Sequence, residues 1–234
     1  MRLSLETRDV GPVTIVRCNG RIVTGDESES LRAHVAWLLH DRKAIVLHLG
    51  DVVFVDSSGL GSMVRSLTSV RQKGGELKLC NVPEHTRKIL NLTNLTRLFD
   101  VHDSEESAIA AFYCARTRFE QSAPASAGIL CVDRNRDVLA YLQSLLKQAG
   151  YEAQTCTSLV DSVILMRVTK FQLVLLGSGL TASVTTQRNF EQACVGTGVL
   201  PLGEQFSGLE AAEAASELLE KVAVSLRSRS SVPS

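Results

Sequence analysis

The chain has 234 residues, and its 25 basic and 25 acidic side chains give a formal net charge of zero at pH 7. Hydrophobic residues make up 44% and charged residues 21%, which is typical of a globular protein and excludes a mainly disordered chain. The balanced charge argues against a nucleic-acid-binding protein that relies on a basic surface. At about 150 residues per domain, the length allows two small domains or one of medium size.

Patterns of strands and helices alternate along the first half of the chain. Apolar residues recur at helical spacing through Leu31, Val35 and Leu38, and again from Leu60 to Leu67. The predicted strands are 13–18, 44–49, 52–55 and 76–82, and the predicted helices are 31–39, 60–73, 85–92 and 104–112. This alternation predicts an α/β layer built on one sheet.

The same alternation begins again after a change in composition. Residues 114–128, CARTRFEQSAPASAG, gather Ser, Ala, Pro and Gly and predict a linker between domains 1–113 and 129–226. The predicted strands of the second domain are 129–133, 151–156, 171–176 and 198–202, and its helices are 138–149, 159–168 and 218–226. Residues 227–234 predict a disordered tail. We therefore expect two α/β domains in tandem.

Neither a membrane segment nor a metal site is indicated. No stretch approaches the 18 or so apolar residues of a membrane-spanning helix, and Glu6 and Asp9 stand where a signal peptide would be apolar. We expect a cytoplasmic protein with no membrane or nucleic-acid partner. The six cysteines contain no CxxC pair, so neither a zinc ribbon nor a thioredoxin-like redox site is indicated. We expect no metal and no cofactor.

The stretch VFVDSSGLG, residues 53–61, is the most informative one. An apolar strand is followed by Asp56, Ser57 and Ser58 and opens directly into a helix. A phosphate on a serine there would meet the N–H donors of the helix start and would add a charge of about −1.5 to −2, which Asp56 resists. Gly59 and Gly61 would leave that backbone open to approach. The alternative is a plain helix cap, for which Asp and Ser are common residues.

The span from Leu3 to Phe112 resembles the STAS domain of bacterial anti-sigma factor antagonists. The resemblance rests on VFVDSSGLG, AIVLHLGDV, GGELKLCNVPEHTRKIL and NLTNLTRLFDVHDSEESAIAAF. It implies a mixed sheet with helices and a regulatory binding protein that is not an enzyme.

The resemblance also implies the site. Ser57 would be the residue that a partner anti-sigma factor phosphorylates, with Ser58 as a neighbour that substitutes or assists. The unphosphorylated form would bind that partner, a serine kinase of the GHKL ATPase type, and a serine phosphatase would restore binding. The expected partner-binding residues are Asp56, Ser57, Ser58, Gly59, Leu60, Gly61 and Arg21. The loop GRIVTGDESES departs from the family's usual acidic turn, so recognition between Arg21 and Glu29 is expected to differ.

From Ile129 to Leu226 the chain resembles a response-regulator receiver domain of the flavodoxin-like type, through ILCVDRNRDVLAYLQSLLKQAGYEAQTCTS and FQLVLLGSGL. Asp133 fills one place of the acidic pair that holds Mg²⁺, but Arg134 occupies the other. Gly177 stands at the acceptor aspartate, and no lysine occurs between Lys170 and Lys221. The domain is also short by about one strand-helix unit.

These departures predict a truncated, degenerate receiver that serves as an interaction module, through which the chain could form a homodimer. A generic α/β domain is the alternative. For the whole chain, the leading hypothesis is a serine-phosphorylated antagonist. The alternatives are a constitutive STAS scaffold indifferent to phosphorylation and, less favoured, a serine hydrolase using one of five histidines in the first half.

Overall fold

The computed structural model describes residues 2–117, 128–202 and 211–230, and the chain divides into two units after residue 118. The strands of the first unit are β1 (Ser4–Val10), β2 (Val13–Ile22), β3 (Ala44–Val55), β4 (Glu76–Cys80) and β5 (Asp100–His102). Its helices are α1 (Asp26–Leu38), α2 (Ser57–Gln72), α3 (Glu84–Leu92) and α4 (Glu105–Thr117), with a short 3₁₀ turn at Leu95–Arg97.

The sheet of the first unit is mixed and has the order β5-β4-β3-β2-β1. β1 and β2 form an antiparallel hairpin, whereas β2, β3, β4 and β5 pair in parallel. The carboxyl ends of β2 and β3 therefore lie at the same edge, where Ile22 pairs with Val55. This register brings the loop after β2 next to the turn after β3.

Alternation along β3 builds the core of this unit. Ile45, Leu47 and Leu49 are fully buried and pack with the apolar faces of α1 and α2. The α2 residues of this core are Leu60, Met63, Leu67 and Val70, and the α1 residues are Leu31, Val35 and Leu38. The sequence predicted both helices from these spacings. Burial of their apolar faces fixes the position of the first turn of α2 against the sheet.

Within the second unit, four strands pair in parallel in the order β7-β6-β8-β9. Its strands are β6 (Gly128–Val132), β7 (Glu152–Cys156), β8 (Leu173–Leu176) and β9 (Gly198–Pro201). Its helices are α5 (Arg136–Gln148), α6 (Leu159–Val168), α7 (Val184–Ala193) and α8 (Ala211–Ser230). Leu139, Leu142 and Leu146 of α5 pack with Leu173 and Leu175 of β8 in a separate core.

The structure corrects several predicted elements. The two strands predicted at 44–49 and 52–55 are one, because Asp51 and Val52 continue the pairing with β2. β1, β5 and α7 were not predicted from the sequence. β1 is mostly half-buried, β5 has only three residues, and α7 buries only Phe190, so each lacks a strong apolar pattern.

The predicted domain boundaries also need correction. α4 continues to Thr117, within the predicted linker 114–128, and β6 already begins at Gly128. Residues 118–127 of that linker lie outside the described residues. The tail predicted to be disordered from Arg227 is wrong at its start, because α8 extends to Ser230. Residues 231–234 lie outside the described residues.

Candidate functional site

The turn between β3 and α2 is organised by Asp56, which caps the helix. Asp56 has an extended backbone, with φ −91° and ψ −178°, and its carboxylate accepts the N–H of Gly59 at 2.7 Å. Its own carbonyl accepts the N–H of Leu60 at 3.0 Å as the first helical bond. An aspartate at this position satisfies donors that the helix itself cannot pair. Asp56 therefore does act as a helix cap, as the simpler alternative predicted.

The same carboxylate also holds the loop after β2. Its second oxygen accepts the backbone N–H of Thr24 at 2.9 Å and the hydroxyl of Thr24 at 3.1 Å. The bond from the Gly59 N–H, followed by those from Thr24, lowers the pKa of Asp56 below its usual value. Asp56 is therefore ionised at neutral pH. Its hydrogen bonds connect the first turn of α2 to the loop that precedes α1.

Asp56 already uses part of the helix start at which phosphate contacts were expected. The sequence predicted that a phosphate would be held by the first N–H groups of α2, but the N–H of Gly59 already donates to Asp56. The N–H of Ser58 also contributes to lowering the pKa of that carboxylate. The negative charge that the helix start favours is thus supplied by Asp56 itself.

The two glycines of the motif have different tasks. A Cβ on Gly59 would lie 2.1 Å from the carbonyl oxygen of Ile22, so Gly59 is required by close packing of α2 on the end of β2. A Cβ on Gly61 would meet only the Arg65 guanidinium, at 3.7 Å or more. The expectation of an approachable backbone therefore fits Gly61 and is wrong for Gly59, which is buried.

The serines differ in exposure. Ser57, the first residue of α2, is exposed, whereas Ser58 is half-buried and lines a groove of about 300 Å³. The other residues of this groove are Thr24, Gly25, Ser28, Glu29, Arg32 and Arg65. Leu60, predicted among the partner-binding residues, is 6% exposed and belongs to the core, so it supports the turn from beneath.

Exposed apolar side chains lie at the end of β3, just before the turn into α2. Val53 is 57% and Phe54 is 44% exposed. Arg21 pairs with Phe54 in the register of β2 and β3, and its guanidinium carbon lies 5.3 Å from the centroid of the Phe54 ring. We call Arg21, Val53, Phe54 and Ser57 the switch surface, since these exposed residues flank the start of α2.

Comparison with known proteins identifies the first unit. The family model described as the STAS domain matches residues 4–108. The anti-sigma F factor antagonist of Paenibacillus polymyxa is 31% identical over 111 residues, which cover 47% of this chain and 94% of that protein. The chain belongs to the STAS-domain anti-sigma factor antagonists. The resemblance expected for residues 3–112 is thereby confirmed.

Other similar proteins match over a shorter span or at a lower sequence identity. The anti-sigma-B factor antagonist of Bacillus subtilis is 34% identical over 61 residues, which cover 26% of this chain and 56% of that protein. A crystal structure of an anti-sigma factor antagonist from Mycobacterium paratuberculosis is 22% identical with a TM-score of 0.42, and the match covers 47% of this chain and 92% of that one.

Beyond the STAS domain, the second unit carries the residues singled out at its predicted receiver site. Asp133, directly after β6, accepts the N–H of Asn135 at 2.7 Å and lies against Gly177, directly after β8. A Cβ on Gly177 would lie 2.0 Å from an Asp133 carboxylate oxygen. Arg134 is exposed, and its guanidinium lies 3.5 Å from the Gly179 carbonyl. Asp133 therefore occupies the space that a side chain at position 177 would need.

Neither a metal-binding cluster nor a membrane-spanning helix is present in the described part of the chain. In residues 2–117, 128–202 and 211–230, no group of three or more His, Cys, Asp or Glu side chains is placed to hold a metal ion. Within the same residues, no helix is long and apolar enough to cross a membrane.

Sequence reasoning missed three residues of the STAS site. Thr24 donates to Asp56 from another loop, and no local sequence pattern predicts that contact. Arg32 and Arg65 line the groove beside Ser58. Arg65 could have been found from helical spacing, because it follows Ser58 by seven residues and so lies on the same face of α2.

Proposed function

We propose that this STAS protein is a phosphorylation-controlled antagonist. The unphosphorylated chain binds an anti-sigma factor that is also a serine kinase of the GHKL ATPase type, and phosphorylation of Ser57 releases it. A serine phosphatase restores binding. The protein acts in the cytoplasm as a binding protein and carries out no chemistry of its own.

The exposure of Ser57 at the first residue of α2 is the observation that carries this proposal. A kinase must reach the hydroxyl of its substrate, and Ser57 offers one outside the packed core. A phosphate there adds a charge of about −1.5 to −2 next to the ionised Asp56. The surface that a partner meets therefore becomes strongly negative at this turn when Ser57 is modified.

The switch surface has the composition of a protein interface. Phe54 and Arg21 stack on each other, and aromatic and arginine side chains are enriched where proteins dock. Val53 extends the apolar area on the same strand. A partner that covers Phe54 and Val53 would bring its own groups against Ser57, where a phosphate would have to be desolvated.

For the second unit we propose a degenerate receiver that takes no phosphate. Asp133 fills the space in front of Gly177, and Arg134 supplies a positive charge at the place where the family has a second metal-binding acid. Acetyl phosphate and Mg²⁺ should therefore leave this unit unmodified in intact-mass measurements. A phosphoryl group mapped to Asp133 would contradict this part of the proposal.

The binding experiment uses the full chain and each GHKL-type ATPase of its source organism in turn, with affinity measured by calorimetry. We expect one ATPase to bind wild type and Ser57→Ala alike, because Ala retains the uncharged surface. Ser57→Asp should weaken that complex at least about tenfold, or about 1.4 kcal/mol. Thr68→Asp, which adds the same charge at an exposed position later in α2, is the matched control.

Each outcome distinguishes the two leading hypotheses. Loss of affinity with Ser57→Asp but not with Thr68→Asp supports the switch. Equal affinity for Ser57→Asp and wild type would overturn it and would favour the constitutive scaffold.

A further inference from the structure

The groove beside the first turn of α2 carries two guanidinium groups. Arg65 comes from α2 and Arg32 from α1, and both line the groove together with Ser58. Arg32 is held by Glu29 at 2.5 Å, whereas Arg65 forms no ion pair with any residue that the structure describes. The groove therefore has positive charge in excess of its single carboxylate.

The Arg65 side chain extends along α2 toward the turn that carries Ser58. The Arg65 guanidinium lies over Gly61, where a Cβ would be 3.7 Å from its nearest nitrogen. Ser58 precedes Gly61 by three residues, which is about 5 Å along the helix axis. Arginine side chains on a helix extend toward its N-terminus, so Arg65 covers most of the two turns that separate it from Ser58.

A phosphoryl group on this turn needs a cationic partner other than the helix itself. The N–H of Gly59 donates to Asp56, as described above, and the N–H of Leu60 donates to the Asp56 carbonyl. Guanidinium groups bind phosphate oxygens through short, charge-assisted hydrogen bonds and can do so in pairs. Arg65 and Arg32 are placed to do this for Ser58, which lines the groove, and not for Ser57, which does not.

We propose that the groove between α1 and α2 is a phosphoryl-binding site in which Arg65, assisted by Arg32, binds a phosphate carried by Ser58. The adjacent serines then have different fates. A phosphate on Ser57 stays in solvent and opposes the partner, whereas one on Ser58 is neutralised within the chain. This inference rests on the proposed function, because it requires that the kinase acting on this turn can modify either serine.

The test measures proton affinity and needs no partner protein. Full chains carrying phosphoserine at position 57 or at position 58 are produced by site-specific incorporation, and the second phosphate pKa is titrated by phosphorus NMR. Phosphoserine ordinarily has this pKa near about 6. We expect the value at position 58 to lie at least about half a pH unit below that at position 57, because nearby guanidinium groups favour the dianion.

Arginine variants identify the groups responsible. Arg65→Ala should return the pKa at position 58 to that at position 57, and Arg32→Ala should raise it by less, because Glu29 shares that guanidinium. Arg71→Ala is the control, since Arg71 lies on the same helix but donates to the Leu98 carbonyl at 2.8 Å. Arg65→Lys should retain part of the effect as a point charge.

Three results would overturn the proposal. The first is an equal phosphate pKa at the two positions, and the second is a pKa at position 58 that does not change in Arg65→Ala. The third is loss of the folded circular dichroism signal when phosphoserine stands at position 58. None of these concerns binding by the Ser57 forms. Failure here therefore differs from failure of the proposed function, which would appear as unchanged partner affinity of Ser57→Asp.

Discussion

Asp56 has two structural tasks, and its place in the sequence predicts only one of them. Its position before a helix indicates a cap, and the Gly59 N–H bond fulfils that role. Its bonds to Thr24 come from a loop that is 32 residues away in sequence. No local pattern contains that contact, because it depends on the parallel pairing of β2 and β3.

Removing the Asp56 carboxylate should destabilise the STAS unit. Asp56→Ala should cost about 1–2 kcal/mol of unfolding free energy at pH 7. Asp56→Asn should retain only part of the stability, because its single amide oxygen can accept the bond from Gly59 or the bonds from Thr24 but not both. Denaturant unfolding followed through Trp37, the only tryptophan, measures both variants. A loss for Asp56→Asn as large as for Asp56→Ala would contradict this role.

The stability difference between wild type and Asp56→Ala should also depend on pH. Folding lowers the pKa of Asp56 below its unfolded value of about 3.9, so the ionised form stabilises the native state. The contribution is complete above about pH 4 and is lost as the pH falls through the folded-state pKa. The difference in unfolding free energy between the two proteins should therefore narrow as the pH falls from 7 to 2. A constant difference across this range would show that the charge of Asp56 does not contribute to stability.

Gly59 and Gly61 form a matched pair for testing the packing of α2. Gly59→Ala should cost at least about 2 kcal/mol, because its Cβ would overlap the carbonyl of Ile22. Gly61→Ala should be neutral or should stabilise by up to about 1 kcal/mol, since alanine favours helix and the space is open. Equal stability of the two variants in the Trp37 unfolding assay would show that α2 does not pack this closely on β2.

At the scale of elements, apolar spacing predicted the helices well. α6 begins and ends where it was predicted, and the core faces of α1 and α2 contain the apolar residues that the sequence singled out. The elements that were missed have weak patterns. β1 carries the charged residues Glu6, Arg8 and Asp9 and fully buries only Val10, so its pairing with β2 reveals it where its sequence pattern does not.

The meeting of β6 and β8 provides a test in the second unit. Gly177→Ala should lower local stability by about 1–2 kcal/mol, because its Cβ needs the space held by the Asp133 carboxylate. Asp133→Ala in the same chain should relieve part of that loss, with a coupling of at least about 0.5 kcal/mol. Hydrogen exchange of β6 and β8 peptides measures each variant, and strictly additive effects would contradict the contact.

At the scale of the whole chain, the division into two α/β units and the STAS family of the first could be recognised from the sequence. The motif VFVDSSGLG also predicted which turn carries the site. The sequence did not predict which residues of that turn are buried. Leu60 and Gly59 become buried, and Ser57 stays exposed, only because α2 packs on the sheet. The groove with Arg32 and Arg65 likewise requires two helices to meet.

The most direct test of the account is phosphosite mapping by mass spectrometry on the protein isolated from its own cells, growing and stressed. The account predicts phosphate on Ser57 whose occupancy changes between the two conditions. Peptides covering Ser57 that are well observed and carry no phosphate in either condition would contradict it.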